Sequence, residues 1–348
     1  CSSILAFSMT TFPTPEGKVR VEDFFQLGKA YLKNERIFNL NKIERVAIEL
    51  WDAEVNIDPT HLKGSLLLST VYNIQTINLL KNEDLERAAE SINISFQTNP
   101  FHSHPFKSLS LIFKKIGNRE KAINALIISS LLEPNEKKVY QSLTKLFDQI
   151  NINHPIKISL ITQWFNKERS QEKFTALKEE FDRLNIIIIK KWKELESEKT
   201  TARDHFLNHR WEKAVQTYSQ VNKWNAVDAS LYLELGISQG KLGQTQNAVN
   251  ALYSGLLIDP KNPYIHRILS DYYLKVENSP YMSAIHLRHY LENAKKGTSE
   301  YKNKEAVFKQ FHIQFMTQKK QPHLPLLSAE QNRQAFQQYN QTSTSPKN

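Results

Sequence analysis

Residues 229–262 read ASLYLELGISQGKLGQTQNAVNALYSGLLIDPKN. Tyr232, Leu235 and Gly236 recur at helical spacing, Gly243 interrupts, Ala248, Leu252 and Gly255 recur again, and Pro260 closes the stretch. Apolar or small residues at i, i+3, i+4 and i+7 mark one face of a helix. Here two such faces are separated by a residue that reaches left-handed backbone without a Cβ clash. Pro260 lacks an amide donor and restricts the residue before it, so it ends the second helix. The stretch reads as two short helices folded against each other.

The same pattern returns after whole periods of 34 residues. Residues 103–136 carry Phe106, Leu109, Ser110, Phe113, Gly117, Ala122, Leu126, Ser129 and Pro134 at the matching places, and residues 69–102 carry Tyr72, Thr76, Leu79, Ala88, Ile92, Ser95 and Pro100. A unit beginning at 137 keeps Tyr140, Leu143, Thr144 and Phe147 but then degenerates, with Ile156 where a small residue is expected. A second set, in register with 229, begins at 195 with Ala202, Trp211, Ala214 and Tyr218 and ends at 263 with Leu269, Ser270, Tyr273 and a shifted Ala284. Between starts 137 and 195 lies one period plus 24 further residues, where a charged amphipathic stretch predicts one long helix over 171–194. Its Ile186–Ile189 run is too short for a membrane span and fits burial between repeats. An earlier unit is marked by Phe24, Leu27, Gly28 and Tyr31, then Ala47, Trp51 and Pro59, with a seven-residue loop inserted around Glu35 to Asn41.

These residues resemble the tetratricopeptide repeat. In that family, large side chains at repeat positions 4, 7, 11 and 24 fill the space between two helices. Small ones at 8, 20 and 27 let backbones approach, and position 32 is usually Pro. The resemblance covers about residues 21–298 and implies an all-α fold, a tetratricopeptide-repeat superhelix (α-solenoid) in two in-register halves separated by a long helical insertion. One helix pair cannot bury its apolar face alone, and stacked pairs share a continuous core. The expected organisation is a tether at 1–20, a first array at 21–170, the inserted helix at 171–194, a second array at 195–298, and a capping helix with a disordered polar tail at 299–348.

Composition agrees with a helical protein. The 348 residues include only nine Gly and one Cys, which leaves no intrachain disulfide framework and no Cys-based zinc site. The net charge of +10 is uneven: residues 1–100 carry −3, 101–200 carry +6 and 201–348 carry +7. No nucleic-acid reading motif accompanies the basic excess, so nucleic acid is not an expected partner. Phosphate-binding, zincin and hydrolase motifs are absent from the sequence, and no enzyme activity or cofactor is expected. His205 and His209 lie four apart on a predicted helix, but two imidazoles without a third ligand make a poor metal site. The pairs His102/His104 and His286/His289 read as packing residues, and Glu179 with Glu180 as a solvated face.

The resemblance also assigns a groove to positions 2, 5, 9, 12 and 13 of each first helix. Carried over, these give Asn73, Lys81, Lys107, Lys115, Lys199, Arg203, Lys241, Arg267 and Lys275 as a partner surface suited to an acidic protein or peptide segment. Position 13 is Lys in five units, at Lys33, Lys81, Lys115, Lys241 and Lys275. A cation near a helix C-terminus is also favoured by the macrodipole without any partner. The Lys and Asn set by which some tetratricopeptide proteins clamp chaperone C-termini is not reproduced, since Glu234 and Ile268 replace needed donors.

Cys1, Ser2 and Ser3, followed by a stretch containing Pro13 and Pro15, look like the start of a mature bacterial lipoprotein acylated on Cys1. That resemblance implies a lipid-anchored protein on the periplasmic face of the outer membrane. The expected function is a non-catalytic scaffold supporting assembly of a bacterial envelope complex, such as pilus, secretion or cell-wall machinery. The alternatives are a cytosolic adaptor or regulator with Cys1 incidental, and an accessory subunit of an enzyme complex.

Overall fold

The computed structural model of the chain describes residues 11–14, 17–20, 40–55, 63–149, 190, 194–222, 228–317, 326–328, 330, 331 and 334. Among these, two short strands precede thirteen helices. Strands β1 (Thr11–Thr14) and β2 (Gly17–Arg20) pair antiparallel with Thr11 opposite Arg20, so a hairpin lies in the stretch expected to be only a tether. The helices are α1 (Leu40–Val55), α2 (Lys63–Lys81), α3 (Leu85–Thr98), α4 (His104–Lys115), α5 (Arg119–Leu132), α6 (Lys137–Gln149), α7 (Glu196–Leu207), α8 (Trp211–Val221), α9 (Ala229–Lys241), α10 (Thr245–Ile258), α11 (Pro263–Lys275), α12 (Pro280–Asn293) and α13 (Ser299–Thr317). The Phe24–Tyr31 helix, the 171–194 insertion apart from Lys190 and Glu194, Cys1 and Lys33 lie outside the described residues.

The 34-residue register reappears as identical backbone chemistry. The turn between paired helices is closed by a bond from the amide at position 16 to the carbonyl at position 11: Asp84 to Leu79 at 3.0 Å, Asn118 to Phe113 at 2.9 Å, Arg210 to His205 at 2.9 Å and Gln244 to Gln239 at 2.9 Å. Position 15, between them, is left-handed every time, at φ 62° for Glu83, 81° for Gly117, 56° for His209 and 73° for Gly243. In the last pair the turn is one residue longer; Asn278 is left-handed and the Ser279 amide reaches the Tyr273 carbonyl at 2.8 Å. Second helices then start on a side-chain cap where position 16 supplies one, with Asp84 accepting from the Arg87 amide and Asn118 from that of Lys121. They stop where the position 31 amide bonds the position 27 carbonyl, just ahead of Pro100, Pro134 and Pro260.

The extra turn residue corrects one expectation. Ser283 of α12, not Ala284, faces position 8, with the Ser270 and Ser283 hydroxyls 2.9 Å apart. Two helix starts also differ. α1 begins at Leu40, inside the loop expected around Glu35 to Asn41, and α2 begins at Lys63, six residues ahead of the repeat start at 69. The α2 extension is held at its first turn. The Gly64 amide donates to the buried Glu54 carboxylate at 2.8 Å, and a Cβ on Gly64 would lie 2.4 Å from the Trp51 nitrogen. Burial raises the Glu54 carboxyl to about 7, against the lowering effect of the Gly64 and Lys63 amides.

The described chain divides into two compact units, and the division does not fall at the 171–194 insertion. Unit 1 comprises residues 1–112 and 306–348; unit 2 comprises 113–305. In unit 1, α1 packs on α2 and α2 on α3 around Leu40, Ile43, Ala47, Trp51, Leu68 and Tyr72. The distal part of α13 belongs here because Phe308 and His312 meet Phe101, with ring centroids 6.2 and 5.9 Å away. Leu327 is buried and its amide donates to the Gln75 carboxamide at 3.0 Å, while the polar end expected to be disordered, 337–348, lies outside the described residues.

In unit 2, successive contacts run from α7 through α12, and α5 packs on α6. Ala202, Ala214, Tyr218, Leu231 and Leu235 form one core cluster. Helix α5 also meets α10, where Asn250 donates to Glu120 at 2.6 Å and accepts from Asn124 at 2.9 Å. Close approach within a pair is clearest at Gly236, where a Cβ would stand 2.8 Å from Leu252 Cγ and 3.1 Å from the Ala248 carbonyl oxygen. The fold is therefore all-α apart from one short hairpin, an α-solenoid type built from tetratricopeptide-like helix pairs.

Candidate functional site

The proposed partner-facing residues fall into three structural situations. In unit 1, Asn73 is buried and its Oδ1 accepts from the Ser108 hydroxyl at 2.6 Å, so it joins α2 to α4 and is not presented outward. Lys81 is half-buried at the end of α2, where burial lowers its ammonium pKa. Lys107 is also half-buried, and its charge acts on His102.

In unit 2, three of the cations are already paired. Lys199 meets Glu196 at 3.2 Å, Arg203 meets Glu234 at 3.7 Å, and Arg267 meets Glu300 of α13 at 2.6 Å. Glu234 additionally accepts from the Tyr218 hydroxyl, and Lys304 of α13 bonds Asp271 at 2.5 Å. The start of α13 thus covers the side of α11 that the repeat resemblance assigns to a partner. Lys115, Lys241 and Lys275 differ: each is exposed in the last turn of its helix and has no side-chain partner among the described residues. Leu207 and Tyr264, also at first-helix positions 13 and 2, are 65% and 61% exposed.

The histidine pairs expected to be packing residues sit in two buried polar junctions, whose further members Ser69, Ser95, His266, Tyr253 and Tyr273 no spacing rule groups with them. In unit 1 the Ser95 hydroxyl donates to the Ser69 carbonyl at 2.7 Å, Ser69 Oγ lies 3.0 Å from His102 Nδ1, and His102 Nε2 lies 3.1 Å from His104 Nδ1. Burial, then the charges of His104 and Lys107, holds His102 at about 3. In unit 2, Tyr253 Oη lies 3.0 Å from both Tyr273 Oη and His286 Nε2, His286 Nδ1 lies 3.0 Å from His266 Nδ1, and His266 Nε2 meets the Pro260 carbonyl at 3.0 Å. His289 stacks on His266 with centroids 4.8 Å apart.

Burial, then the neighbouring His289, lowers His266 to about 3; burial and Arg288 lower His289 to about 4; and His286 is pushed well down by burial and the other two imidazoles. Burial raises both tyrosines. Neutral, enclosed rings of this kind tie helices together; they are poorly placed for proton transfer near neutral pH. The available signal was His266 at position 4, where other repeats carry Tyr72, Phe106, Tyr140 and Tyr232. His209 does not share a helix face with His205, since α7 ends at Leu207 and His209 forms the left-handed turn. No described helix is long and apolar enough to cross a membrane.

No family model matches the chain, and no curated protein matches it. Among solved structures, a tetratricopeptide repeat protein from Parabacteroides merdae is 11% identical over 84% of this chain and 98% of its own, with a TM-score of 0.29. The TPR2AB domain of yeast Sti1, in a pHSP90 complex, is 14% identical over 72% of this chain and 99% of its own, with a TM-score of 0.29. Pseudomonas aeruginosa PilF is 14% identical over 82% of this chain and 96% of its own, with a TM-score of 0.24. With these scores below 0.5, the fold assignment rests on the helix pairs of this chain.

Proposed function

We propose that the chain is a non-catalytic scaffold that holds a segment of a partner protein against the first helices of unit 2. The observation that carries this reading is the exposure of Lys115, Lys241 and Lys275 together with Leu207 and Tyr264, while neighbouring cations at equivalent helix faces are spent on internal pairs. Exposed cations and exposed apolar side chains on these helices suit an acidic segment carrying a few apolar anchors. Crosslinking in the native host, with the wild type and the Lys115→Glu/Lys241→Glu/Lys275→Glu variant compared, tests it. The variant should lose the principal crosslinked partner while keeping its helical circular dichroism. Retention of that partner leaves the lysines as helix-end charges only.

The finer form of this proposal is a lipid-anchored role in assembling an envelope complex. It draws on the Cys1-Ser2-Ser3 sequence, which lies outside the described residues. Intact mass of the protein from host membranes decides it: acyl chains on Cys1 support the anchor, and an unmodified thiol removes it.

A further inference from the structure

We infer that α2 carries a second binding position, in unit 1, for an extended leucine-bearing peptide, and that residues Leu326 and Leu327 of the chain occupy it as an internal competitor. The starting point is Gln75. It stands at position 7 of its repeat, where the repeats beginning at 103, 137, 229 and 263 place Leu109, Leu143, Leu235 and Leu269. A carboxamide at an inter-helix packing position is costly unless its polar atoms are bonded. Gln75 is fully buried, and its Oε1 accepts the Leu327 main-chain amide at 3.0 Å.

The contact has the two parts that peptide recognition needs. A side-chain acceptor aimed at a main-chain amide reads extended backbone without regard to sequence, and side-chain pockets add selectivity. Leu327 is 4% exposed, and Leu326 packs against the cluster that contains Trp51, Leu68 and Tyr72. The distal half of α13 brings the tail to this unit through Phe308 and His312 on Phe101. Covalent linkage gives such a segment an effective concentration on the order of millimolar, enough to exclude a weak competitor but not a tight one. A partner with two adjacent leucines in extended conformation supplies the same amide and the same apolar groups. When it displaces the tail, the Gln75 acceptor stays bonded. This position is independent of the unit 2 lysines.

The test uses the full-length chain and a fluorescent peptide of residues 321–331, QPHLPLLSAEQ. By anisotropy, the Leu326→Ser/Leu327→Ser variant should bind this peptide at least about tenfold more tightly than the wild type, whose site is filled. Adding Gln75→Leu to that variant should remove about tenfold of the gain, because the peptide amide is then buried without an acceptor. Equal affinity for wild type and variant, or binding indifferent to Gln75, overturns the inference. A second measurement needs no variant. Millimolar unlabelled peptide should speed hydrogen exchange of the wild-type chain's own Leu327 amide, and a peptide with both leucines replaced by alanine should not. Exchange at Leu327 that the leucine peptide leaves unchanged also overturns it.

Discussion

The repeat at 229 and the repeat at 69 share a backbone and differ in what fills it. At position 7 one has Leu235 and the other Gln75; at position 8, Gly236 and Thr76; at position 27, Gly255 and Ser95. In the first, contact does the work: Gly255 leaves room for Ile265 of the next pair, where an added Cβ would lie 2.7 Å from its Cδ1. In the second, every substitution toward polarity has a bonded partner. Thr76 donates to the Tyr72 carbonyl at 2.8 Å, Ser95 to that of Ser69, and Gln75 receives the Leu327 amide. One fold thus accepts either an apolar or a polar interior, but the polar version depends on partners, and one of these comes from the far end of the chain.

Acidification should have the largest effect, at one imidazole closing the 69 repeat and at three in the pair that follows the 229 repeat and bonds its Tyr253. His102 at the end of the 69 repeat and His266, His286 and His289 in the 263 repeat are held neutral by burial, well below the ordinary value near 6.5. Between that value and the folded values of about 3 for His102 and His266 and about 4 for His289, the unfolded chain binds protons that the folded chain refuses. Stability is therefore fully present above about pH 6.5 and falls with acid, by about 1.4 kcal/mol per pH unit for each such imidazole. Urea denaturation at pH 7, 6, 5 and 4 checks this, and His102→Asn should flatten the dependence by one proton. A flat stability over that range breaks the assignment of neutral, buried rings.

Exchanging residues between the repeats sharpens the contrast. Gly236→Thr places the 69-type residue in the 229 repeat, against Leu252 Cγ at 2.8 Å and the Ala248 carbonyl oxygen at 3.1 Å. It should cost about 2–3 kcal/mol through overpacking, read as a lowered urea midpoint. Ser95→Ala removes the donor to the Ser69 carbonyl and one neighbour of the Ser69 hydroxyl, and should cost about 1–2 kcal/mol. The smallest effects belong to the turns, which both repeats share. Glu83→Gly and His209→Gly should each stabilise by about 0.5–1 kcal/mol by relieving left-handed backbone. Gly243→Ala should destabilise by about 1 kcal/mol, since nothing stands within 4 Å and only the backbone conformation resists.

The same contrast explains what was legible in the sequence. Gly117, Gly243, Pro134 and Pro260 fix turns and helix ends through backbone chemistry local to each residue, so the register could be read directly. Glu83 and His209 take the same left-handed position without a sequence signal, because nothing in their side chains demands it. The six-residue start of α2 depends on Gly64 meeting Trp51 and Glu54, a contact across the chain that a 34-residue template does not contain. Leu327 lies outside the repeat template, and its amide bonds Gln75 252 positions away, a contact no local pattern contains. Among the partner-facing residues, spacing located Lys115, Lys241 and Lys275 on exposed helix ends, while Asn73, Arg203 and Arg267 are engaged by Ser108, Glu234 and Glu300, which no spacing rule anticipates.

Residue-resolved hydrogen exchange of the full-length chain tests the central claim, a helix-pair array whose polar repeat is completed by its own C-terminal segment. Protection should rise within α2 to α5 and α7 to α12 and drop at residues 82–84, 116–118, 208–210, 242–244 and 276–279, with the Leu327 amide protected alongside α2. Unbroken protection through those turns, or a Leu327 amide exchanging as fast as an unfolded chain, would contradict it.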